Sequence, residues 1–120
     1  MVERINLDTL KNLIDGNVKE DATCMVKFYS TRCPYCDNLK PDYETLSQQY
    51  GNIHFFAINV DGYPEDNTAP VKINGVPTVC MIKIRRKTKV TVLEDPKMPH
   101  PEKWYWLEYI KEFIDKEIRR

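Results

Sequence analysis

The sequence carries no excess of charge of either sign, because eighteen lysine and arginine residues balance eighteen aspartates and glutamates. This balance argues against nucleic acid or an anionic membrane as a partner. Long apolar runs are lacking as well, since none approaches the roughly 20 residues that span a bilayer. The opening residues 1–10 are charged and mixed, unlike a secretory signal peptide. We therefore expect a soluble protein of the cytoplasm.

Cysteine is also sparse, and four cysteines are too few to hold a scaffold together by disulfides. A chain of 120 residues, 42% of them hydrophobic, suits one core, so we expect a single domain over residues 1–120. Only Cys33 and Cys36 lie close together in the sequence. This pair is therefore the main candidate for chemistry.

Hydrophobic periodicity predicts an α/β fold in which parallel strands come first and an antiparallel hairpin comes last. Asp8 is a suitable N-cap for the first helix, and Pro41 should bend the second. The predicted helices cover residues 8–16, 34–50, 66–72 and 102–118, and the predicted strands cover residues 22–29, 53–60, 78–84 and 90–93, with a weak edge strand at 4–7. We expect a central mixed sheet of four to five strands flanked by helices.

The Cys33-Pro34-Tyr35-Cys36 turn stands where a predicted strand ends and a predicted helix begins. Free backbone N–H groups and the positive end of the helix dipole favour a thiolate at Cys33, and Arg32 adds a positive charge. Cys36 lies one helical turn deeper, close enough to attack a mixed disulfide at Cys33. We therefore expect Cys33 to be the nucleophile and Cys36 the resolving thiol.

Zinc binding and plain packing are the alternatives for an isolated Cys-x-x-Cys pair. Zinc needs about four ligands, and the remaining cysteines and histidines show no second paired spacing. Two of them, Cys24 and Cys80, lie inside strand-like runs, where we expect them to be small buried hydrophobes. The other two are His54 and His100.

The sequence resembles the thioredoxin superfamily over most of its length. Residues 26–36, VKFYSTRCPYC, look like that family's strand and active-site turn. Residues 37–47, DNLKPDYETLS, are similar to the next helix in the catalytic domains of protein disulfide isomerases. Residues 59–61 (NVD) and 75–78 (GVPT) match further along, the latter at the thioredoxin-type separation from Cys33.

The resemblance implies a thiol-disulfide oxidoreductase that acts on protein disulfides or dithiols. It implies a cis bond before Pro77, which packs against the active-site disulfide, and a substrate groove that includes Gly75 and Val76. The Val76 backbone would pair with an extended peptide. This chemistry needs no metal or organic cofactor. A thioredoxin-reductase-like enzyme or glutathione would recycle the pair and so link it to electron transport.

Three positions depart from the family pattern. Arg32 stands where a tryptophan usually precedes the first cysteine, so the groove loses an aromatic wall. Lys27 replaces a buried acid that handles the proton of the resolving thiol, and Ala57 replaces the lysine that pairs with this acid. If Lys27 points toward Cys36, its charge stabilises thiolates and makes the disulfide more oxidising. The alternative is a Lys27 side chain that reaches solvent.

The dipeptide Pro34-Tyr35 between the cysteines is typical of glutaredoxins and favours a second hypothesis, glutathione-linked dithiol exchange. Against it, Ser30 replaces the usual glutaredoxin lysine, and residues 78–93 lack the Gly-Gly-x-Asp turn that binds glutathione. A third hypothesis is a binding or assembly module of thioredoxin fold with an idle redox pair.

The last predicted helix is rich in aromatic residues. We expect Trp106 to pack in the core and Tyr105 and Tyr109 to lie off that face, with a contact to a partner or a second copy as the alternative to plain packing for these two. The protein would be a monomer or a weak dimer. The basic residues between 83 and 89 should form a charged hairpin that protects the edge of the sheet.

Overall fold

In a computed structural model that describes residues 1–120, five strands and three helices follow one another along the chain. The strands are β1 (Val2–Ile5), β2 (Ala22–Tyr29), β3 (His54–Asn59), β4 (Thr78–Ile84) and β5 (Thr88–Val92), and the helices are α1 (Leu7–Ile14), α2 (Pro34–Gln49) and α3 (Leu107–Ile118). No helix is long and apolar enough to cross a membrane.

The five strands form one mixed sheet in the order β1-β3-β2-β4-β5. Strands β1, β3 and β2 are parallel, whereas β4 and β5 are antiparallel to their neighbours. In the central strand β2, Val26 lies opposite Phe56 on one side and Cys80 on the other. The expected mixed sheet with a terminal hairpin and flanking helices is therefore confirmed.

Helices cover both faces of the sheet, because alternate residues of β2 point to opposite sides. On one face Val26 packs in a cluster with Leu10 of α1. On the other face Met25 packs in a cluster with Tyr43 of α2 and Ile110 of α3. Lys27 has the same parity as Met25, so its side chain lies on the α2 face, the face that carries Cys36.

Two helix predictions near the active site need correction. Helix α1 is capped by Asn6 rather than Asp8, since the Asn6 Oδ1 accepts a hydrogen bond of 2.9 Å from the N–H of Thr9. Residues 66–72 form turns and not a helix. There the Asp66 carboxylate accepts the N–H of Thr68 at 2.9 Å, an Asx-turn that competes with helical hydrogen bonding.

The last helix begins at Leu107, five residues later than predicted. The preceding residues form an ordered loop in which His100 and Trp104 exchange both of their backbone hydrogen bonds at 3.0 Å. Two aromatic predictions are wrong as a result. Tyr105 is fully buried in the core and offers no contact surface, whereas Trp106, expected in the core, is 46% exposed.

The basic hairpin between β4 and β5 forms as an antiparallel pair, but two of its cations have partners elsewhere. The Lys83 amine donates to the C=O of Glu117 at 2.5 Å and of Arg120 at 3.1 Å, at the end of α3. The Arg85 guanidinium donates to the C=O of Ala22 at 3.0 Å. Lys83 therefore ties the sheet to the end of α3, and Arg85 ties the hairpin to the start of β2.

Candidate active site

The Cys-x-x-Cys pair lies at the start of α2, directly beyond the end of the central strand. Cys33 has an extended backbone and is the N-cap of the helix, and Pro34 occupies the first turn, where its missing N–H costs nothing. Cys33 and Cys36 are joined by a disulfide with a Cα–Cα distance of 5.2 Å. The Cys33 Sγ accepts a hydrogen bond of 3.1 Å from the N–H of Cys36. The sulfur predicted to be the nucleophile therefore lies against the free amides of the helix.

A small polar network holds the turn before Cys33. The Thr31 hydroxyl donates to a carboxylate oxygen of Asp61, and the Asn59 amide donates to the Thr31 hydroxyl at 3.2 Å. The Asn59 Oδ1 in turn accepts the N–H of Asp61 at 2.8 Å. Sequence reasoning matched residues 59–61 to the family but gave them no role; the structure shows that they connect the end of β3 to the active-site turn. Arg32 is exposed beside this network.

A groove of about 570 Å³ is lined by Tyr35 of the active-site turn and by all three residues predicted to bind substrate, Gly75, Val76 and Pro77. The Val76–Pro77 peptide bond is cis. Neither the N–H nor the C=O of Val76 takes part in a backbone hydrogen bond of the chain. The Thr78 hydroxyl, which sequence reasoning missed, donates to the C=O of Gly75 at 2.6 Å and holds the loop closed.

Sequence reasoning also missed Trp104, which forms the far wall of this groove. Its ring meets the edge of Tyr35, from the active-site turn, at 5.8 Å between centroids. Its indole N–H donates to Asp95 at 3.2 Å. The predicted last helix included residue 104. No sequence pattern indicates the left-handed backbone that Trp104 adopts before the observed helix begins.

Lys27 is the unusual charged group of the site. Only 4% of the residue is exposed, so the alternative in which its side chain reaches solvent is wrong. Together with Cys36 and Ala57 it lines a cavity of about 270 Å³ between β2 and α2. No carboxylate forms an ion pair with its amine. The amine lies instead 5.0 Å from the centroid of the Tyr43 ring.

Burial and, to a smaller extent, the nearby Lys40 cation lower the pKa of Lys27 to about 8, against the opposing effect of Asp37 and Glu44. Lys40, Asp37 and Glu44 line the same cavity from α2. Lys27 therefore titrates closer to neutral pH than an ordinary surface lysine does. It does so in the cavity that Cys36 also lines.

The other two cysteines lie away from the redox pair, in the cluster on the α1 face of the sheet. Cys24 and Cys80 are both free and almost completely buried. Burial raises the pKa of Cys24 to about 11 and that of Cys80 to about 12. Both thiols are therefore the packed hydrophobes that the strand pattern indicates.

Comparison with known proteins agrees with this geometry. The sequence model of the Thioredoxin family matches residues 6–98. A thioredoxin of Borreliella burgdorferi is 30% identical over 83 residues, which are 68% of this chain and 70% of that protein. A Schizosaccharomyces pombe protein provisionally named a protein disulfide-isomerase is 29% identical over 106 residues, 88% of this chain but only 20% of its own length.

The fold is also shared with solved structures. A chloroplastic thioredoxin z superposes with a TM-score of 0.69, covering 99% of this chain and 96% of that one at 23% identity. At that identity the likeness concerns the fold alone. Family membership rests instead on the family match over most of the chain and on the disulfide-bonded pair at the start of α2. The chain belongs to the thioredoxin family, as an oxidoreductase with a Cys-x-x-Cys pair.

Proposed function

We propose that this protein exchanges disulfides with protein substrates through Cys33 and Cys36. The observation that carries the proposal is the position of the Cys33 sulfur. It lies at the N-terminus of α2, hydrogen-bonded to the Cys36 N–H, two residues from Tyr35, which lines the groove together with the loop around Pro77. Backbone N–H groups at this position stabilise a thiolate as it forms.

In the reducing direction the thiolate of Cys33 attacks one sulfur of a substrate disulfide. An S–S bond forms between Cys33 and the substrate, and the other substrate sulfur leaves as a thiolate that takes up a proton. Cys36 then loses its proton and attacks the Cys33 sulfur, which releases the second substrate thiolate. Two electrons pass to the substrate, and the Cys33–Cys36 disulfide results. The oxidising direction runs through the same steps in reverse.

Lys27 supports an oxidising assignment of the pair. Its ammonium lies in the cavity that Cys36 also lines, and Asp37 and Glu44, which line the same cavity, form no ion pair with it. A buried positive charge stabilises the thiolates of the reduced form, and this raises the reduction potential of the disulfide. The pKa of Lys27 is about 8, so above this pH its amine is mostly neutral and suited to accept the Cys36 proton.

The groove supports an extended peptide as the substrate. The unpaired N–H and C=O of Val76 offer one donor and one acceptor to a passing strand, in the groove that Tyr35 of the active-site turn also lines. Pairing of this kind gives affinity through the backbone, and the side chains around it give selectivity. Protein disulfides, rather than small disulfides, are therefore the substrates we assign.

Recycling requires an external electron carrier, and we assign a thioredoxin-reductase-like enzyme or glutathione to this role. The Pro34-Tyr35 dipeptide favours glutathione as the second candidate. The two buried free thiols, Cys24 and Cys80, fit a reducing compartment such as the cytoplasm, where unpaired cysteines are the norm.

A trapping experiment tests the proposal. Cys36→Ser should hold a mixed disulfide between Cys33 and a protein substrate, whereas Cys33→Ser should form none and lose all turnover. Cys24→Ala is the matched control, because it removes a thiol that lies on the other face of the sheet, and it should turn over like the parent protein. Full function of Cys33→Ser in its cellular role would instead leave the binding-module hypothesis standing.

A further inference from the structure

The groove lined by Tyr35 of the active-site turn and by the Pro77 loop has a far wall built by the loop between β5 and α3. Trp104 in this loop has a φ of 66°, in the left-handed region that a bulky residue rarely adopts. Such a conformation persists only where the surroundings hold it. The two backbone hydrogen bonds to His100 and the indole bond to Asp95 do so.

The loop is also fixed to the active-site helix. The Asn38 amide donates to the C=O of Glu102 at 2.9 Å, and the Lys103 amine forms an ion pair of 3.2 Å with Asp42. These contacts join the loop to α2 through the two residues that directly precede Trp104. The indole of Trp104 is therefore held against the Tyr35 ring before any substrate arrives.

The charge of the groove is uneven. Glu94 and Asp95 line it and are exposed, and neither forms an ion pair within the chain. Lys72 is the only cation among the lining residues, so the groove carries a net negative charge. Arg32 does not line it. A substrate with a positive charge is therefore favoured, and an anionic one is disfavoured.

We propose that this groove selects protein segments with a basic residue near the reacting cysteine, in which the substrate chain packs on Trp104 and the basic side chain meets Glu94 and Asp95. The inference rests on the proposed function and adds a substrate class to it. Alternate residues of an extended chain lie on one face, so the basic residue belongs two positions from the cysteine. Glutathione, with two carboxylates and one ammonium, is a poor fit to the same groove.

Three peptides that differ only at the positions two residues before and after a cysteine test this selection. Each has a cysteine joined by a disulfide to 2-mercaptoethanol, flanked two positions away on both sides by Lys, Gln or Glu. The second-order rate of the reduced protein with each is measured by acid quench and mass spectrometry. We expect the order Lys, Gln, Glu, with roughly two- to fivefold between neighbours, the range of an exposed ion pair. High salt should compress this order.

Variants distinguish the contribution of the Trp104 ring from that of the Glu94 and Asp95 charges. The double variant Glu94→Gln, Asp95→Asn should remove the preference for Lys over Glu, while Glu20→Gln, at the opposite end of β2, should keep it. Trp104→Ala should lower the rate with the Lys peptide roughly tenfold relative to that with hydroxyethyl disulfide, as loss of an aromatic anchor does. Trp104→Phe should retain most of the rate, which controls for folding of the loop.

Equal rates with the three peptides, or equal losses of peptide and hydroxyethyl disulfide rates in Trp104→Ala, would overturn the inference and leave the proposed function intact. Faster reaction with glutathione disulfide than with the Lys peptide would overturn it as well. A parent protein that reacts neither with any of the three peptides nor with hydroxyethyl disulfide would refute the proposed function itself, and the inference with it.

Discussion

The Lys27 amine lies 5.0 Å from the centroid of the Tyr43 ring, and no carboxylate pairs with it. The Tyr43 hydroxyl is occupied elsewhere, because it donates to the C=O of Phe56 at 2.7 Å. The buried cation therefore interacts with the face of an aromatic ring on one side and with the cavity that Cys36 lines on the other. We therefore expect the charge of Lys27 to influence the redox pair.

Replacing Lys27 should lower the reduction potential of the Cys33–Cys36 disulfide. Lys27→Met removes the positive charge at similar size, and Lys27→Glu introduces a negative one, so each step destabilises the thiolates of the reduced form. We expect a decrease on the order of 30 mV or more for Glu and a smaller one for Met. Equilibration with glutathione redox buffers and thiol trapping measures both values. The exposed Lys87 offers a matched control, Lys87→Met, and an identical potential in all four proteins would contradict this influence of Lys27.

Lys27 should also make the stability of the oxidised protein depend on pH. Its pKa is about 8 in the folded chain and 10.5 when unfolded, so the folded state binds fewer protons between these values. Burial of the charge thus destabilises the fold fully below pH 8, and this cost is lost as the pH rises toward 10.5.

Urea unfolding of oxidised Lys27→Met and the parent protein checks this sign. We expect the variant to be more stable at pH 7, by about 1–3 kcal/mol, and the difference to shrink steadily between pH 8 and pH 10. Subtraction of the two proteins cancels the titration of other groups. A difference that grows with pH would show that the buried amine stabilises the fold.

Cys24 and Cys80 should resist alkylation in the folded protein. Burial raises the pKa of these thiols to about 11 and 12, and their sulfurs are shielded from reagents. After reduction, iodoacetamide at pH 8 should label Cys33 first, and Cys24 and Cys80 only in denaturant. Mass spectrometry of peptides assigns the labels; early labelling of Cys80 would contradict its burial.

Lys83 should stabilise the end of α3. Its amine donates to the carbonyls of Glu117 and Arg120, and a cation at a helix C-terminus also interacts favourably with the dipole. Lys83→Met should lower the free energy of unfolding by about 1 kcal/mol. Lys87→Met, in the exposed turn of the same hairpin, should change it little. Equal effects of the two substitutions on thermal unfolding would argue against a stabilising role for the Lys83 hydrogen bonds at the end of α3.

The sequence by itself determined the elements whose signals are local. Strand β2 was predicted with its observed bounds, because an apolar run between turn residues specifies a buried strand. The Cys33-to-Cys36 turn was found because thiol-disulfide chemistry needs two cysteines one helical turn apart at a helix N-terminus. All of these features lie within a few residues of one another in the sequence. The sequence of parallel strands first and an antiparallel hairpin last followed from connection lengths and periodicity.

Tertiary structure decided what depends on residues far apart in the chain. The last helix begins at Leu107 because Trp104 adopts a left-handed backbone held by His100 and Asp95, and no local pattern encodes that contact. The burial of Lys27 likewise depends on α2 covering β2, since a single lysine in an apolar strand is compatible with exposure as well. Helix and strand patterns are local, whereas the wall of a groove and the dielectric surroundings of a charge are set only when distant segments pack together.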